Sequence, residues 1–249
     1  LSSFLPRPVE ELSKGVQELK EGRDSGPLKI YAKDELGRLT QSFNEMAALI
    51  FSQKNDLEKS AYDLEESYVA TVKVLAAAID ARDHYTLGHS TRVAQLSVEL
   101  GKKVGLTEQQ LEDLKVACLF HDVGKIRIPD SILLKAGKLD KNEIVEMRRH
   151  PDYGAAILNK APSLVKFIPV VKYHHEWFDG NGYPEGLSGD AIPLPAAIAS
   201  LADVYDALTT DRPYRPGFSR ETALETIEEA EGRQFSPELV RIFMTMPAL

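Results

Sequence analysis

The 249-residue sequence predicts an all-α protein. From about Val69 onward, helical segments and loops alternate, and the apolar–polar alternation typical of strands is nearly absent. Capping-box patterns at Thr107 with Gln110, and at Asp140 with Glu143, predict the starts of two helices. Prolines and glycines punctuate the segments between the helices. We therefore expect a helical bundle built around a buried polar site.

Composition excludes several classes of protein. The sequence is 43% apolar and 27% charged, as is usual for a soluble globular chain, and it lacks the run of about 18 apolar residues that spans a membrane. The net charge of −8 argues against DNA as a partner. The single cysteine, Cys118, excludes an internal disulfide and a cysteine-based zinc site. Its apolar neighbours, Val116–Phe120, predict a buried structural thiol.

The first 75 residues or so differ from the rest and predict two helices. The first helix opens at Pro8 and ends at Gly22, since proline suits a first turn and glycine a helix end. Its apolar face comprises Val9, Leu12, Val16 and Leu19. A connector, 23–33, leads to a second helix that begins near Asp34-Glu35, because acidic residues are favourable at a helix N-terminus.

The second helix carries a seven-residue repeat. One row of the repeat is Leu36, Phe43, Ile50, Leu57, Leu64 and Thr71, and the other is Leu39, Met46, Gln53, Ser60, Ser67 and Val74. A sustained heptad favours a dimeric coiled coil. The second row turns polar after Met46, so the seam is weak there, and a plain surface helix is the alternative interpretation.

This N-terminal stretch resembles a HAMP domain, the relay placed just inside the membrane in bacterial receptors. The resemblance covers roughly residues 6–55 and rests on Pro8 with Leu12, the break at Gly22, the run Asp34–Gly37, and Phe43-Asn44 with Met46. HAMP domains are parallel dimers of two helices per chain, so the resemblance implies a homodimer. Because the chain begins with Leu1 rather than Met, we expect a fragment: the cytoplasmic part of an inner-membrane-anchored receptor whose membrane part is absent.

Five of the six histidines lie in short polar motifs within apolar helical segments. The pair His121-Asp122 follows an apolar run, and Asp203 lies inside another. We expect His150 to close a helix over Lys141–Arg149. The pair His174-His175 is expected to close a helix that runs from Leu164.

Buried histidines and carboxylates are costly unless they are paired or bound to a metal. Each motif alone is more often a surface group or a satisfied core histidine, but together they predict a metal centre with nitrogen and oxygen ligands. Such ligands suit iron, manganese, zinc or nickel, and seven groups exceed what one tetrahedral zinc takes. We expect two ions, each served by one member of a consecutive pair. Two ions about 3.5–4 Å apart support in-line phosphoryl displacement.

The motifs around these residues resemble the HD-GYP domain, a branch of the HD phosphohydrolases, over about Val69 to Met246. The matching segments are Asp83 with Tyr85-Thr86 and Gly88-His89, His121–Ile126, His150-Pro151 with Gly154, His174–Pro184, and Asp203–Leu208 with Arg212–Arg215. The resemblance implies a bundle of about seven helices around the metals. The implied metal ligands are His89, His121, Asp122, His150, His174, His175 and Asp203. Some relatives hold a third metal through a carboxylate at the position of Tyr85, so we expect two ions here, iron or manganese, with Asp83 or Asp80 as an outer partner.

The resemblance also implies substrate contacts. Lys125 would face the substrate phosphate and assist the leaving group together with the metal ligand Asp122. Gly182 and Tyr183, in the glycine-rich loop Asp179–Pro184 (the GYP loop), would line the substrate groove, although a purely structural loop is the alternative. Further expected contacts with guanine or phosphate are Asp83, Arg212 and Arg215. His84 has no implied role.

The resulting expectation is a phosphodiesterase that hydrolyses cyclic di-GMP to the linear dinucleotide pGpG, and further to GMP in a second cut. The alternatives are a phosphodiesterase for another cyclic dinucleotide, such as 3′,3′-cGAMP, and a non-catalytic module that binds cyclic di-GMP or GGDEF-domain proteins. We expect HAMP-like helices over residues 1–55, a coiled-coil linker over 56–75, and the phosphodiesterase domain over 76–249.

Overall fold

The computed structural model describes residues 7–31, 33–82, 88–211 and 216–247. The chain divides into two units, Leu1–Tyr68 and Val69–Leu249. None of the helices in the described ranges has both the length and the apolar character needed to cross a membrane. In the same ranges there is no extended strand, only two isolated β-bridges. The prediction of an all-α fold is confirmed.

The first N-terminal helix begins and ends close to the predicted residues, and the second begins where the sequence predicts. Helix α1 spans Arg7–Lys20, and α2 spans Glu35–Arg82. The chain leaves α1 at Gly22, whose φ of 72° lies in the left-handed region that glycine adopts without strain. Helix α2 starts where Asp34 Oδ1 accepts two backbone N–H groups of the first turn, at 3.1 and 2.9 Å.

The connector between these helices is fixed to α2 by a reciprocal pair of hydrogen bonds. The backbone N–H of Leu28 donates to Asn44 Oδ1, and Asn44 Nδ2 donates to the Leu28 carbonyl, both at 2.8 Å. Gly15 of α1 lies so close that an added Cβ would be 2.9 Å from Leu28 and 3.2 Å from Phe43. A glycine here therefore lets the connector and α2 approach α1.

The heptad seam beyond Phe43 is open in the single chain. Leu57 and Leu64 are each 71% exposed. Apolar side chains repeated every seven residues are buried in coiled coils by a second helix. The seam is therefore available for a partner helix.

The second unit is a bundle of short helices. Its α-helices are α3 His89–Val104, α4 Glu108–Phe120, α5 Asp130–Leu133, α6 Lys141–Met147, α7 His150–Leu158, α8 Ile168–Tyr173, α9 Leu194–Thr209, α10 Arg220–Glu229 and α11 Pro237–Met244. Short 3₁₀ helices cover Val123–Arg127, Pro162–Phe167 and Gly189–Ala191. Helix α3 packs against both α4 and α9, and these three helices form the centre of the bundle.

The core of this unit is apolar up to the edge of the polar site. Leu100 of α3, Leu114 of α4, and Ile198 and Leu201 of α9 are almost completely buried. Burying one such side chain contributes roughly 1.5–3 kcal/mol, so the three helices are held firmly in place. Cys118 lies in this core, as predicted. The site residues on these helices therefore start from a rigid support.

Both predicted capping boxes are present. Thr107 and Gln110 cap α4, and Asp140 and Glu143 cap α6, each pair bonding side chain to backbone in both directions. Two other boundaries were predicted wrongly. His150 begins α7 rather than closing a helix, because the chain turns after Met147 and Pro151 suits the first turn of a new helix. The helix before His174 begins at Ile168, since the preceding turns are 3₁₀.

Candidate metal centre and active site

Helix ends supply most of the candidate ligands. His89 is the first residue of α3, His121 follows the last residue of α4, His150 is the first residue of α7, and His174 follows α8. Asp203, by contrast, lies within α9. A side chain at a helix end can turn inward without displacing a helix neighbour, so several helices bring one ligand each to a common point.

Three of the histidines are oriented by the same local hydrogen bond. The Nδ1 atoms of His121, His150 and His174 donate to the carbonyls three residues earlier, at 2.6, 2.9 and 3.0 Å. A carbonyl only accepts, so the proton of each neutral ring lies on Nδ1. The Nε2 atoms are thereby directed into the site. This is the usual arrangement by which proteins orient metal-binding imidazoles.

His89 is oriented by a carboxylate instead. Its Nδ1 lies 2.7 Å from Asp206 Oδ2, and Asp206 also accepts hydrogen bonds from Arg92 Nε at 2.6 Å and Arg92 Nη2 at 3.0 Å. The other nitrogen, Nε2, lies 3.1 Å from Asp203 Oδ1. Burial lowers the pKa of His89, but the hydrogen bonds to Asp203 and Asp206 outweigh it and raise the pKa to about 10.

The ligand atoms form two groups, with Asp122 between them. His150, His174 and His175 make one group, and His89, His121 and Asp203 make the other; within each group the ligand atoms lie within 4.8 Å of one another. Asp122 Oδ1 lies 3.3 Å from His150 Nε2, and Asp122 Oδ2 lies 3.3 Å from His121 Nε2. A carboxylate in this position can bridge two cations. His174 and His175 fall in the same group, although one in each group was expected.

The first group suits a divalent cation. Burial lowers the pKa of His174 well below its usual value and that of His175 to about 3, so both rings are neutral at pH 7. The Nε2 atoms of His150 and His174 lie only 3.4 Å apart. Because Nδ1 of each ring already carries the proton, two lone pairs face each other here. A cation between them would remove that repulsion.

The second group also suits a cation. His121 Nε2 is buried and forms no hydrogen bond, although Asp122 Oδ2 lies 3.3 Å away, and a buried polar atom without a hydrogen bond is costly. Burial opposes ionisation of Asp122 and Asp203, but Lys125 and His121 keep the pKa of Asp122 well below its usual value, and His89 does the same for Asp203. Once a cation takes the place of the Nε2 proton of His89, the two groups offer imidazole nitrogens and ionised carboxylates, the donor set that iron, manganese and zinc accept.

Lys125 lies beside the Asp122 carboxylate. It belongs to the 3₁₀ helix Val123–Arg127 (the Lys125 turn), is 18% exposed, and places Nζ 2.7 Å from Asp122 Oδ2. The turn packs directly on α7: a Cβ on Gly124 would lie 1.8 Å from the carbonyl oxygen of His150. Lys125 therefore presents a positive charge at the edge of the site, and it is mostly shielded from water.

The GYP loop covers the first group of histidines. Tyr183 stacks on His175, with ring centroids 4.8 Å apart, and the Arg148 guanidinium lies 5.0 Å from the Tyr183 ring centroid. At Gly182 an added Cβ would lie 2.2 Å from the backbone nitrogen of Trp177, so only glycine fits. The two loop residues predicted to line a groove are thus brought to the histidines. Asp83, Arg212 and Arg215 lie outside the described residues, as do Tyr85, His84 and the side chain of Asp80.

Three residues that orient the site were not predicted as site residues. Asp206 and Arg92 fix His89, and each lies three residues after a predicted ligand, Asp203 or His89, on the same helix face. That spacing was the available signal. The third is Glu176, a buried carboxylate that accepts the backbone N–H groups of Glu185, Gly186 and Leu187 at 2.7, 3.1 and 3.0 Å. Its long-range partners could not be predicted from the sequence.

Comparison with known families agrees with this geometry. The HD domain family matches residues 73–239, and the HAMP domain family matches residues 6–50. The chain therefore belongs to the HD domain family and carries a HAMP domain before it. This confirms the resemblance drawn from the motifs.

Individual relatives add detail. The chain is 38% identical over 219 residues to the cyclic di-GMP phosphodiesterase response regulator RpfG of Xanthomonas campestris pv. campestris, covering 86% of this chain and 57% of that protein. It is 34% identical over 261 residues to the 3′3′-cGAMP-specific phosphodiesterase 2 of Vibrio cholerae, covering 96% and 49%. The chain thus spans about half the length of these curated relatives. Among solved structures, the HDG"Y"P protein Bd1817 of Bdellovibrio bacteriovorus superposes with a TM-score of 0.54 at 18% identity, covering 94% of this chain and 79% of that one. This last likeness supports the fold.

Proposed function

We propose that this chain is a metal-dependent phosphodiesterase that hydrolyses cyclic di-GMP to pGpG, with GMP as the product of a second cut. The observation that carries the proposal is the pair of ligand groups joined by Asp122, with the ammonium of Lys125 2.7 Å from that carboxylate. The cyclic di-GMP phosphodiesterase named among its relatives supports the choice of substrate.

We assign two divalent ions, iron or manganese, to the ligand groups. The proposed ligands are His89, His121, Asp122, His150, His174, His175 and Asp203. Bound divalent ions supply positive charge to the phosphate oxygens and activate water for attack on phosphorus. Total metal analysis of protein purified without oxygen tests this assignment. Two ions per chain are expected, and an Asp122→Asn variant should hold fewer.

The protein's own residues supply the remaining steps. Lys125 would stabilise the 3′ oxygen as it leaves, since a shielded ammonium is most effective where negative charge develops. Tyr183, whose ring is held against His175, would line the substrate groove. The proposed guanine and phosphate contacts are Gly182, Tyr183, Asp83, Arg212 and Arg215.

A Lys125→Ala variant tests this role. We expect kcat for cyclic di-GMP to fall roughly 10²–10³-fold, the usual cost of removing one group that stabilises developing charge. Lys166 is a matched control, because it forms a 2.7 Å ion pair with Asp113 on the surface. Lys166→Ala should leave kcat unchanged. Equal rates for the Lys125 variant and the parent protein would contradict the assignment.

A second candidate substrate is 3′,3′-cGAMP. The relative that matches 96% of this chain at 34% identity carries that specificity in its name. Competition between the two dinucleotides in one reaction distinguishes the candidates through the ratio of their kcat/KM values. Preference for cyclic di-GMP supports the first proposal, whereas preference for 3′,3′-cGAMP favours the second.

We further propose that the N-terminal helices form a homodimer that relays a signal to the phosphodiesterase domain, with HAMP-like helices over 1–55, a linker over 56–75 and the enzyme over 76–249. The open seam at Leu57 and Leu64 supports dimerisation. HAMP domains are typical of membrane receptors, which supports a place on the cytoplasmic side of an inner-membrane receptor. Light scattering of the purified chain tests the dimer, and a monomer at micromolar concentration would contradict it.

Binding to GGDEF-domain proteins is an additional proposal, testable by co-purification.

A further inference from the structure

The last residue of α2 contacts the backbone that carries Lys125. Arg82 Nη1 donates to the carbonyls of Lys125 at 2.9 Å and Ile126 at 2.7 Å, and Nη2 donates to the carbonyl of Ile128 at 2.8 Å. The same guanidinium bonds Asp130 Oδ1 through Nη2 at 2.7 Å and Nε at 3.2 Å. One side chain thus contacts four residues of the segment that follows Asp122.

The carbonyls of Ile126 and Ile128 lie at or just past the C-terminal end of the Lys125 turn, where backbone carbonyls lack donors within the helix and carry partial negative charge. The Lys125 carbonyl accepts the backbone N–H of Ile128 as well as the Arg82 guanidinium. A 3₁₀ helix of five residues is weakly stable by itself. A planar guanidinium with several fixed donors can satisfy several carbonyls at once, whereas an ammonium cannot do so with the same geometry.

The turn is therefore held from two sides. On one side Gly124 packs against the backbone of α7 at His150, where no larger residue fits. On the other side Arg82, only 32% exposed, holds the carbonyls. Lys125 lies between these two supports. Its Nζ reaches Asp122 Oδ2 only while the turn keeps its position.

We infer that Arg82 is a positioning residue that sets the location of the Lys125 ammonium, and that it links the end of α2 to the reaction site. The inference rests on the proposed function for its effect on turnover. A displacement of the last turn of α2 moves the guanidinium, and through three carbonyl bonds it moves the Lys125 turn. A shift of about 1 Å in a catalytic group is enough to lower a rate by up to about 100-fold.

A double-mutant cycle in the full chain tests this inference. Arg82→Ala should lower kcat for cyclic di-GMP about tenfold, with KM within about twofold and metal content unchanged. If Arg82 acts through Lys125, then Arg82→Ala should cost almost nothing further in a Lys125→Ala background. If the fold-loss of kcat in the double variant equals the product of the losses in the two single variants, the inference is overturned. Full activity of Arg82→Ala would also overturn it.

Three further variants separate positioning from stability. Arg82→Lys keeps the charge but not the fork of donors, so partial recovery of kcat is expected. Asp130→Asn removes the ion pair and keeps the carbonyl bonds; because Asp130 is 68% exposed, activity should stay within about twofold of the parent. Arg241→Ala removes an arginine that donates to the Pro237 carbonyl on α11 at 3.2 Å, and it should leave activity unchanged. A larger loss in Asp130→Asn than in Arg82→Ala would overturn the role of the carbonyl bonds.

Hydrogen exchange tests whether Arg82 holds the Lys125 turn, independently of any enzymatic activity. The amides of Lys125 and Ile128, which donate within the turn at 2.9 and 3.0 Å, should exchange at least tenfold faster in Arg82→Ala and not in Arg241→Ala. Unchanged exchange would overturn the inference even if activity fell. If the parent protein hydrolyses neither cyclic dinucleotides nor bis(4-nitrophenyl) phosphate, the proposed function fails, and the exchange result alone then decides whether Arg82 holds the turn.

Discussion

The three hydrogen bonds accepted by Glu176 make the segment after the GYP loop the most informative place for a perturbation. Glu176 is only 2% exposed, and its two oxygens are the acceptors for the amides of 185–187. In Glu176→Gln one oxygen becomes an NH₂ group. If the remaining oxygen still accepts the hydrogen bonds from the backbone amides of Glu185 and Gly186, the new NH₂ group faces the N–H of Leu187. Two donors then oppose each other.

The expected cost follows from the bond that is lost. A hydrogen bond to a carboxylate contributes about 1.5–3 kcal/mol, and an unsatisfied buried donor adds to the loss. Since about 1.4 kcal/mol is tenfold in an equilibrium constant, the Leu187 amide should exchange about 10–100-fold faster in Glu176→Gln. Glu176→Ala removes all three acceptors and should accelerate exchange at all three amides. Tyr183 lies in the adjoining loop, so KM should also rise.

Hydrogen-exchange mass spectrometry over residues 176–190, with a denaturant titration for global stability, measures these effects. Glu185→Gln is the matched control, because the Glu185 carboxylate pairs with Lys172 at the surface. Its effect should stay within about 0.5 kcal/mol. Unchanged exchange in both Glu176 variants would refute the claim that this carboxylate holds the loop.

Three other perturbations have defined outcomes. Burial raises the pKa of Cys118 to about 12, so the thiol of the native protein should resist alkylation at pH 8. The urea-unfolded chain should react at once. Rapid labelling of the native protein would contradict the burial of Cys118. Gly124→Ala forces a Cβ to within 1.8 Å of the His150 carbonyl oxygen, so chemical denaturation should show a loss of roughly 3 kcal/mol or more in the free energy of unfolding. Gly137→Ala, which has open space around it, should be nearly neutral. Equal stabilities of the two variants would contradict the close packing at Gly124. Inserting two residues within 57–64 rotates the following helix by about 200° and should change the hydrolysis rate, whereas inserting seven residues should largely preserve it; no difference between the two insertions would contradict the relay.

The predictions that succeeded depend on local chemistry. A glycine after α1, an acidic residue before α2 and two capping boxes each act within one turn of helix, so a few neighbouring residues determine them. The all-α class follows from the same short-range patterns summed over the chain. The seven candidate ligands were named from the polar motifs and the HD-GYP resemblance; the structure brings their side chains together, and metal binding by them stays a prediction.

The predictions that failed depend on tertiary contacts. Pro151 gave a local signal for the helix that His150 begins, but the packing of α7 on Gly124, 26 positions earlier, could not be predicted from the sequence. Arg82 bonds carbonyls more than 40 positions away, and Asp206 bonds His89 across 117 positions. For Asp206 and Arg92, spacing from a predicted ligand was the only sequence signal, and their partners became known only from the fold. Pattern reasoning therefore names ligands more readily than the groups that hold them.

Single-turnover hydrolysis of cyclic di-GMP under anaerobic conditions, with Mn(II) or Fe(II) added, decides whether these residues form a metal-dependent phosphodiesterase. We predict that the purified chain forms pGpG, and that Asp122→Asn, which removes the carboxylate between the two ligand groups, abolishes product. Asp190→Asn, an exposed carboxylate outside those groups, should react like the parent protein. Absence of product with either metal, or product formation that survives Asp122→Asn, would contradict a metal-dependent phosphodiesterase built on these residues.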